Sequence, residues 1–352
     1  MRKIENKDNN LKNIFIWLCL SCAIVAIMIF IGGLTRSTNS GLSMVDWGII
    51  SGIIPPITTN DWLDLFNKYK EFPEYKLINT NMDLNDFKFI FWMEYAHRIL
   101  GRTIFLIILI PFIYFLKKKI IPIKLIKHFF MVILLVVFQG LFGWYMVKSG
   151  LIDKPDVSHY RLATHLTIAF FIYGYLLYLA LTFHNLIYKK KSVVIKNKKL
   201  LIINSSIILL ILITVFSGGM VAGLNAGLIY NTFPLMGENL IPKEIFDLNP
   251  TYLNFFENPI TVQFDHRFLG MFTFILVSTL WIYAKKINLD ANIRKKINIL
   301  LMLVLFQISL GAATLISYVN ITIALSHQFI AIIIYSVSIW ILKSPTTRVQ
   351  VK

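Results

Sequence analysis

Apolar residues in this chain come in runs of about 20 positions, the length a helix needs to cross a hydrocarbon core of about 30 Å. Eight such runs lie at 14–35, 90–116, 125–147, 162–187, 200–223, 266–284, 297–316 and 322–342. Within lipid a helix satisfies its own backbone hydrogen bonds, so each run predicts one transmembrane helix. The fold class expected is an all-α polytopic membrane protein. Two connections, 36–89 and 224–265, are long. They mix polar residues with Trp47, Pro55-Pro56, Trp62 and Phe72-Pro73-Glu74-Tyr75, and with Tyr230-Asn231-Thr232-Phe233-Pro234. Disordered linkers carry fewer aromatics, so these loops read as interfacial caps containing short amphipathic pieces.

The eight runs fall into two similar sets of four. Ile31-Gly32-Gly33-Leu34 ends span one, and Ser217-Gly218-Gly219-Met220 closes span five. His97-Arg98-Ile99-Leu100-Gly101 begins span two, and His266-Arg267-Phe268-Leu269-Gly270 begins span six. Phe138-Gln139 with Gly143 recurs as Phe306-Gln307 with Gly311, and His165 as His327. Gln139 follows His97 by 42 residues, and Gln307 follows His266 by 41. Repeats of four spans each start on the same side, so they are parallel repeats about an axis along the membrane normal. The expected organisation is an inner segment 1–13, a four-helix bundle 14–187 with outer loop 36–89, and an inner linker 188–199. A second bundle 200–342 with outer loop 224–265 follows, then an inner tail 343–352.

Composition and charge sharpen this picture. At 57% hydrophobic residues, the chain is too apolar for a soluble protein of 352 residues. The net charge of +17 would suggest nucleic acid in a soluble chain. Here the lysines cluster in short connections, as at Lys117, Lys118 and Lys119, at Lys189, Lys190, Lys191 and Lys196, and at Lys285 and Lys286. No basic face with interleaved aromatics appears outside the spans, so nucleic acid is excluded as a partner. By the positive-inside rule, the clusters place both termini inside. Cys19 and Cys22 lie within the first span without a His or Cys partner nearby, so packing is expected of them. No signal-peptide cleavage pattern is evident.

Seven histidines occur. His97, His165, His266 and His327 belong to the repeat and stand at the outward ends of the even-numbered spans. Two neutral imidazoles from different helices at one depth suit the two axial positions of a heme iron. Gly101, Gly143, Gly270 and Gly311 would let a flat ring approach the backbone. His128 and His184 lie near inner boundaries without repeat partners. His159 lies six residues before His165, and its counterpart by offset is Ile321. Arg98, Arg267 and Arg161 could pair with heme propionates through their planar forks, or could simply anchor helix ends.

The halves differ at one telling position. Glu94 precedes His97 by three residues, on the same helix face. The matching residue is Gln263. An intramembrane carboxylate is costly and is a functional candidate by default. The first half therefore offers a group able to exchange a proton or stabilise positive charge, whereas the second offers a neutral isostere. This predicts one reactive heme site and one electron-transfer heme site.

At these residues the chain resembles the heme A synthase family, membrane enzymes that oxidise heme O to heme A for terminal oxidases. The resemblance covers nearly the whole chain. It runs through Gly32-Gly33-Leu34-Thr35-Arg36, Ser40-Gly41-Leu42-Ser43, Phe72-Pro73-Glu74-Tyr75-Lys76, Glu94 with His97-Arg98, Tyr160-Arg161-Leu162-Ala163, Asn225-Ala226-Gly227, Tyr230-Asn231-Thr232-Phe233-Pro234-Leu235-Met236 and Asp265-His266-Arg267. It implies successive hydroxylations of the methyl at heme carbon 8, giving a geminal diol that loses water to leave a formyl group. It assigns His97 and His165 to the iron of the substrate heme O, Glu94 to the reacting site, and His266 and His327 to the iron of a resident heme B. The first bundle would then hold the substrate heme and the second the heme B. The partners implied are a membrane electron donor, a heme O synthase and oxidase assembly factors, and the sequence leaves a homo-oligomer open. The location implied is the bacterial cytoplasmic (inner) membrane, or the mitochondrial inner membrane in a eukaryote. Some members carry paired cysteines in outward loops. This chain has none there and resembles the cysteine-poor branch of alphaproteobacteria and mitochondria. It also has His159 where a polar non-ligand such as Gln is expected.

Two other readings remain on the sequence alone. A di-heme electron carrier of cytochrome b type would use two equivalent sites, against the Glu94/Gln263 difference. A transporter would place its polar cluster near the membrane middle, not at the outer ends.

Overall fold

A computed structural model describes residues 2–45, 52–150, 157–188, 192–195, 197–344 and 347–350. Trp47, Lys189, Lys190, Lys191 and Lys196 lie outside the described residues. Eight helices are long and apolar enough to cross a membrane. They are α1 (Arg2–Ser37), α4 (Leu84–Lys117), α5 (Ile123–Gly150), α6 (His159–Ile187), α7 (Lys198–Gly223), α9 (Pro259–Lys286), α10 (Ala291–Ile316) and α11 (Ile321–Lys343). Outside the spans, the short helices α2 (Thr59–Lys70), α3 (Pro73–Leu77) and α8 (Asn254–Glu257) belong to the two long loops. A two-stranded antiparallel ladder pairs β1 (Ser192–Ile195) with β2 (Thr347–Gln350), joining the segments that follow α6 and α11.

Several helices begin earlier than their apolar runs. Asp83 caps α4 by accepting from the backbone N–H of Asn85 and Asp86, and the Asp86 side chain completes a capping box. Asn258 caps α9, with Pro259 in the first turn. His97 and His266 are therefore interior residues of their helices and do not begin them. The capping turns are polar, so an apolar-run reading starts too late.

The packing repeats like the sequence. Helices α1, α4, α5 and α6 contact one another in a closed ring, and α7, α9, α10 and α11 form a second. The rings meet where α6 packs on α7 and α11 and where α1 packs on α11. This pattern is compatible with the expected pseudo-twofold. Hydrogen bonds cross the seam from Gln328 Nε2 to the Ile29 carbonyl (2.8 Å) and between Tyr173 and Ser336 (2.7 Å). Arg36, one turn beyond the first Gly-Gly pair, donates to the Ala222 carbonyl at the end of α7 (2.7 Å).

The first long loop is a folded cap. On α2, Trp62, Phe66 and Tyr69 share one face and pack on Phe87, Ile90 and Phe91 of α4. The Phe66 and Phe87 rings stack at 5.1 Å, and Trp62 meets Phe91 edge-on at 5.0 Å. Cys22 is buried in the main core and Cys19 is exposed; both are free thiols.

Candidate functional site

Each of the four repeat histidines lies against a glycine on a neighbouring helix. A methyl group built on Gly32 would stand 3.0 Å from His97 Cε1, and one on Gly143 2.8 Å from His165 Cε1. In the other half, the corresponding distances are 3.0 Å from Gly218 to His266 and 3.1 Å from Gly311 to His327. These approaches are tighter than ordinary Cβ contacts. Only glycine lets the imidazole edges sit so near the adjacent backbone. The glycines against the imidazole edges are thus Gly32, Gly143, Gly218 and Gly311. Gly101 and Gly270 lie one turn along from His97 and His266. A methyl on Gly270 would meet nothing within 4 Å, and one on Gly101 only the Met28 terminal carbon at 3.4 Å. They border space.

The Gly-Gly pairs serve two directions at once. Successive helix residues point about 100° apart. Gly32 and Gly218 face histidines, while Gly33 faces Gln328 of α11 and Gly219 faces Ala163 of α6 across the seam. The pairs were visible as repeat landmarks, but their partners on other helices were not.

The supporting polar contacts also repeat. Gln139 Nε2 donates to the His165 carbonyl at 3.0 Å, and Gln307 Nε2 to the His327 carbonyl at 3.0 Å. Ser217 Oγ lies 2.7 Å from His266 Nδ1, so Nε2 is the nitrogen of that ring that could ligate a metal. The His266 and His327 rings face each other with centroids 6.4 Å apart. His165 lies within electrostatic reach of His97 and stacks on Phe142. Nδ1 of His97, His165 and His327 is buried with no hydrogen-bond partner among the described residues. An unsatisfied buried polar atom costs about 1–3 kcal/mol. Paired imidazoles, flanking glycines and adjacent space fit a planar macrocycle with a coordinating metal.

Glu94 is the polar centre of the first half. Only 3% exposed, it accepts from Ser43 Oγ at 2.7 Å and from the Met44 backbone N–H at 2.8 Å, both on Oε2. Its Oε1 forms an ion pair with Arg98, whose guanidinium also donates to the Met44 carbonyl at 3.2 Å. At the matched place, Gln263 Nε2 donates to the Tyr230 carbonyl at 3.0 Å, and Arg267 donates to the same oxygen at 2.9 Å. Arg267 also donates to the carbonyls of Thr232 and Leu235. Both arginines therefore tie the outer caps to the spans, in addition to any anion they meet. Arg161 donates to Ser149 Oγ, and its guanidinium lies 4.8 Å from the Tyr145 ring centroid.

The remaining histidines lie apart from this arrangement. His128 Nδ1 is 2.6 Å from the Tyr175 hydroxyl, and His184 packs its ring on Phe15 and Tyr188. His159 packs on Gly223 of α7, with Nε2 3.6 Å from the Glu257 carboxylate. Beside it, the Tyr160 hydroxyl donates to Glu257. His159 thus joins the two halves at the seam.

Glu74 is a functional candidate that sequence reasoning passed over. It lies in α3 at 6% exposure and accepts from the Tyr69 hydroxyl at 2.9 Å, which in turn accepts from Asn79 at 2.8 Å. Burial pushes its carboxyl up to about 7, opposed by the Tyr69 bond and reinforced by Glu94. The motif Phe72-Pro73-Glu74-Tyr75 was legible, but the burial of its acid depends on α2.

Fold and site together define a class: a polytopic membrane protein with two matched pairs of partly buried histidines, one pair accompanied by a buried carboxylate. The sequence profile of the COX15-CtaA cytochrome oxidase assembly protein family matches residues 15–339. The chain belongs to that family. It is 44% identical over 340 residues to a heme A synthase of Nitrosospira multiformis, covering 97% of this chain and 95% of the relative. It is 46% identical over 334 residues to a heme A synthase of Rickettsia felis, covering 92% and 95%. With a heme A synthase of the Wolbachia of Brugia malayi it shares 42% over 332 residues, covering 94% and 96%.

Proposed function

We propose that this protein is a heme A synthase that converts the carbon-8 methyl of heme O to a formyl group, supplying heme A for cytochrome oxidase. Near-full-length similarity to proteins of that name supports the reaction. The observation that carries the division of labour is the contrast between Glu94 and Gln263 on otherwise matched scaffolds. In this reading His97 and His165 take the iron of the substrate heme O. His266 and His327 hold a resident heme B, which supplies a reversible one-electron couple when bound. The N-terminal ring, residues 14–187, is the substrate half, and the C-terminal ring, 200–342, is the heme B half. The enzyme lies in the inner membrane with both termini inside, as the lysine clusters indicate. It receives electrons from a membrane donor and works with a heme O synthase and oxidase assembly factors.

Within this assignment the side chains bind and orient, and Glu94 manages protons. Gln139 and Gln307 fix the helix turns carrying His165 and His327. The glycines opposite the rings set how far each imidazole projects. Glu94 takes up or returns a proton at its carboxylate, or stabilises positive charge beside the substrate ring. Arg98, Arg161 and Arg267 stand at the outer ends, where propionates would meet them.

The test is extraction and mass identification of hemes from cells that make heme O and express this chain. Wild type yields heme A, whereas Glu94→Ala yields bound heme without the aldehyde. Heme A at the normal rate from purified Glu94→Ala protein would remove Glu94 from the chemistry. Heme B alone in the wild type would favour a di-heme electron carrier.

A further inference from the structure

The internal repeat continues into the outer caps, where it isolates one more residue. Met44 lies 12 positions after Gly32, and Tyr230 lies 12 after Gly218. Their carbonyls do the same job, each accepting from the arginine that follows the repeat histidine. By that register Ser43 corresponds to Ile229. A hydroxyl thus stands beside the acid in one half, whereas the residue at that register position in the other half is a hydrocarbon. The chemistry explains the pairing. A carboxylate has only acceptors and needs donors, whereas the Gln263 amide has N–H groups of its own and uses one on Tyr230.

Ser43 is fully enclosed, and its oxygen lies near three acceptors: Glu94 Oε2 at 2.7 Å, the Ser40 carbonyl at 3.1 Å and the Ile90 carbonyl at 3.2 Å. A serine has one hydroxyl proton to give. The shortest of the three contacts, and the only one to a group that can carry full negative charge, takes it. With the Met44 N–H and Arg98, the hydroxyl leaves the carboxylate little freedom to turn.

We infer that Ser43 is a positioning residue for Glu94, fixing the orientation of its carboxylate without touching the substrate heme. This rests on the reading of Glu94 as the group that acts on the substrate. Substituting Ser43 rotates or frees the carboxylate while leaving histidines and heme in place.

The experiment uses the full chain in lipid nanodiscs. The Glu94 carboxylate band is assigned in infrared difference spectra as the one lost in Glu94→Gln. In Ser43→Ala that band shifts, in Ser43→Thr it stays, and bound heme is unchanged by visible absorption. Heme A formation falls about tenfold or more in Ser43→Ala, the effect of losing one hydrogen bond to a charged group, and recovers in Ser43→Thr. Should Ser43→Ala not fold, Ser43→Cys offers a weaker donor of similar size and gives a smaller shift. A band unmoved by Ser43→Ala or Ser43→Cys overturns the assignment, as does loss of bound heme equal to the loss of activity. If the band shifts yet Glu94→Gln still makes heme A normally, the positioning stands and the catalytic reading of Glu94 falls.

Discussion

Protonation of Glu74 should tighten the outer cap of the first half, with a sign and size that follow from its surroundings. Its carboxyl moves from 4.5 to about 7, chiefly because burial disfavours the charge. The native cap therefore holds its proton more tightly than the unfolded chain. Below pH 4.5 both states are protonated and no penalty applies. Between 4.5 and 7 stability falls by about 1.4 kcal/mol per pH unit, then levels off. The full difference is about 3 kcal/mol, roughly a hundredfold in the opening equilibrium. Two groups act on this carboxyl, the Tyr69 hydroxyl from α2 and the Glu94 charge from α4, and Asn79 beyond α3 donates to that hydroxyl. Burial raises the Tyr69 hydroxyl still further above its ordinary value, so it does not titrate between pH 5 and 8. Hydrogen exchange read on peptides spanning 62–82 and corrected for intrinsic rates reports this local opening. Protection should fall from pH 5 to pH 8 in the wild type. Glu74→Gln should flatten the profile at the high-protection level. A flat wild-type profile, or a Glu74→Gln profile that still falls, would refute burial of the charge as its cause.

Other expectations follow from the same structure. On the proposed assignment, Gly143→Ala, which places a methyl 2.8 Å from His165 Cε1, should remove the heme signal of the first half while sparing that of the second; Gly311→Ala should do the converse. Arg98→Ala strands a buried carboxylate and should cost about 3–5 kcal/mol in thermal or denaturant stability, with much of the loss recovered in Arg98→Ala/Glu94→Gln. Gln307→Leu removes the bond to the His327 carbonyl and should weaken second-half heme retention by about 0.5–1.5 kcal/mol, seen as faster heme loss.

Much of this was written in local sequence. Eight apolar runs sufficed for eight spans, because backbone satisfaction in lipid leaves few alternatives. The four histidines stood out because matched spacing in two halves is hard to produce by chance. Helix starts were misread where polar caps such as Asp83 and Asn258 precede the apolar run. Gly32 and Gly218 are not legible as histidine partners, because a glycine that touches the imidazole edge lies on another helix. Ser43 and Glu94 are separated by 51 residues, and no local pattern joins them. The burial of Glu74 likewise depends on a tertiary cap whose aromatic face was visible only as composition.

Each set of four spanning helices closes into its own ring before it meets the other. One consequence is stoichiometric. Two separate polypeptides carrying these sites would have to be made in equal amounts, inserted in the same orientation and found by one another in the plane of the membrane. A single chain delivers both histidine pairs in a fixed one-to-one ratio. Neither half can be diluted away from its counterpart, and both are degraded together.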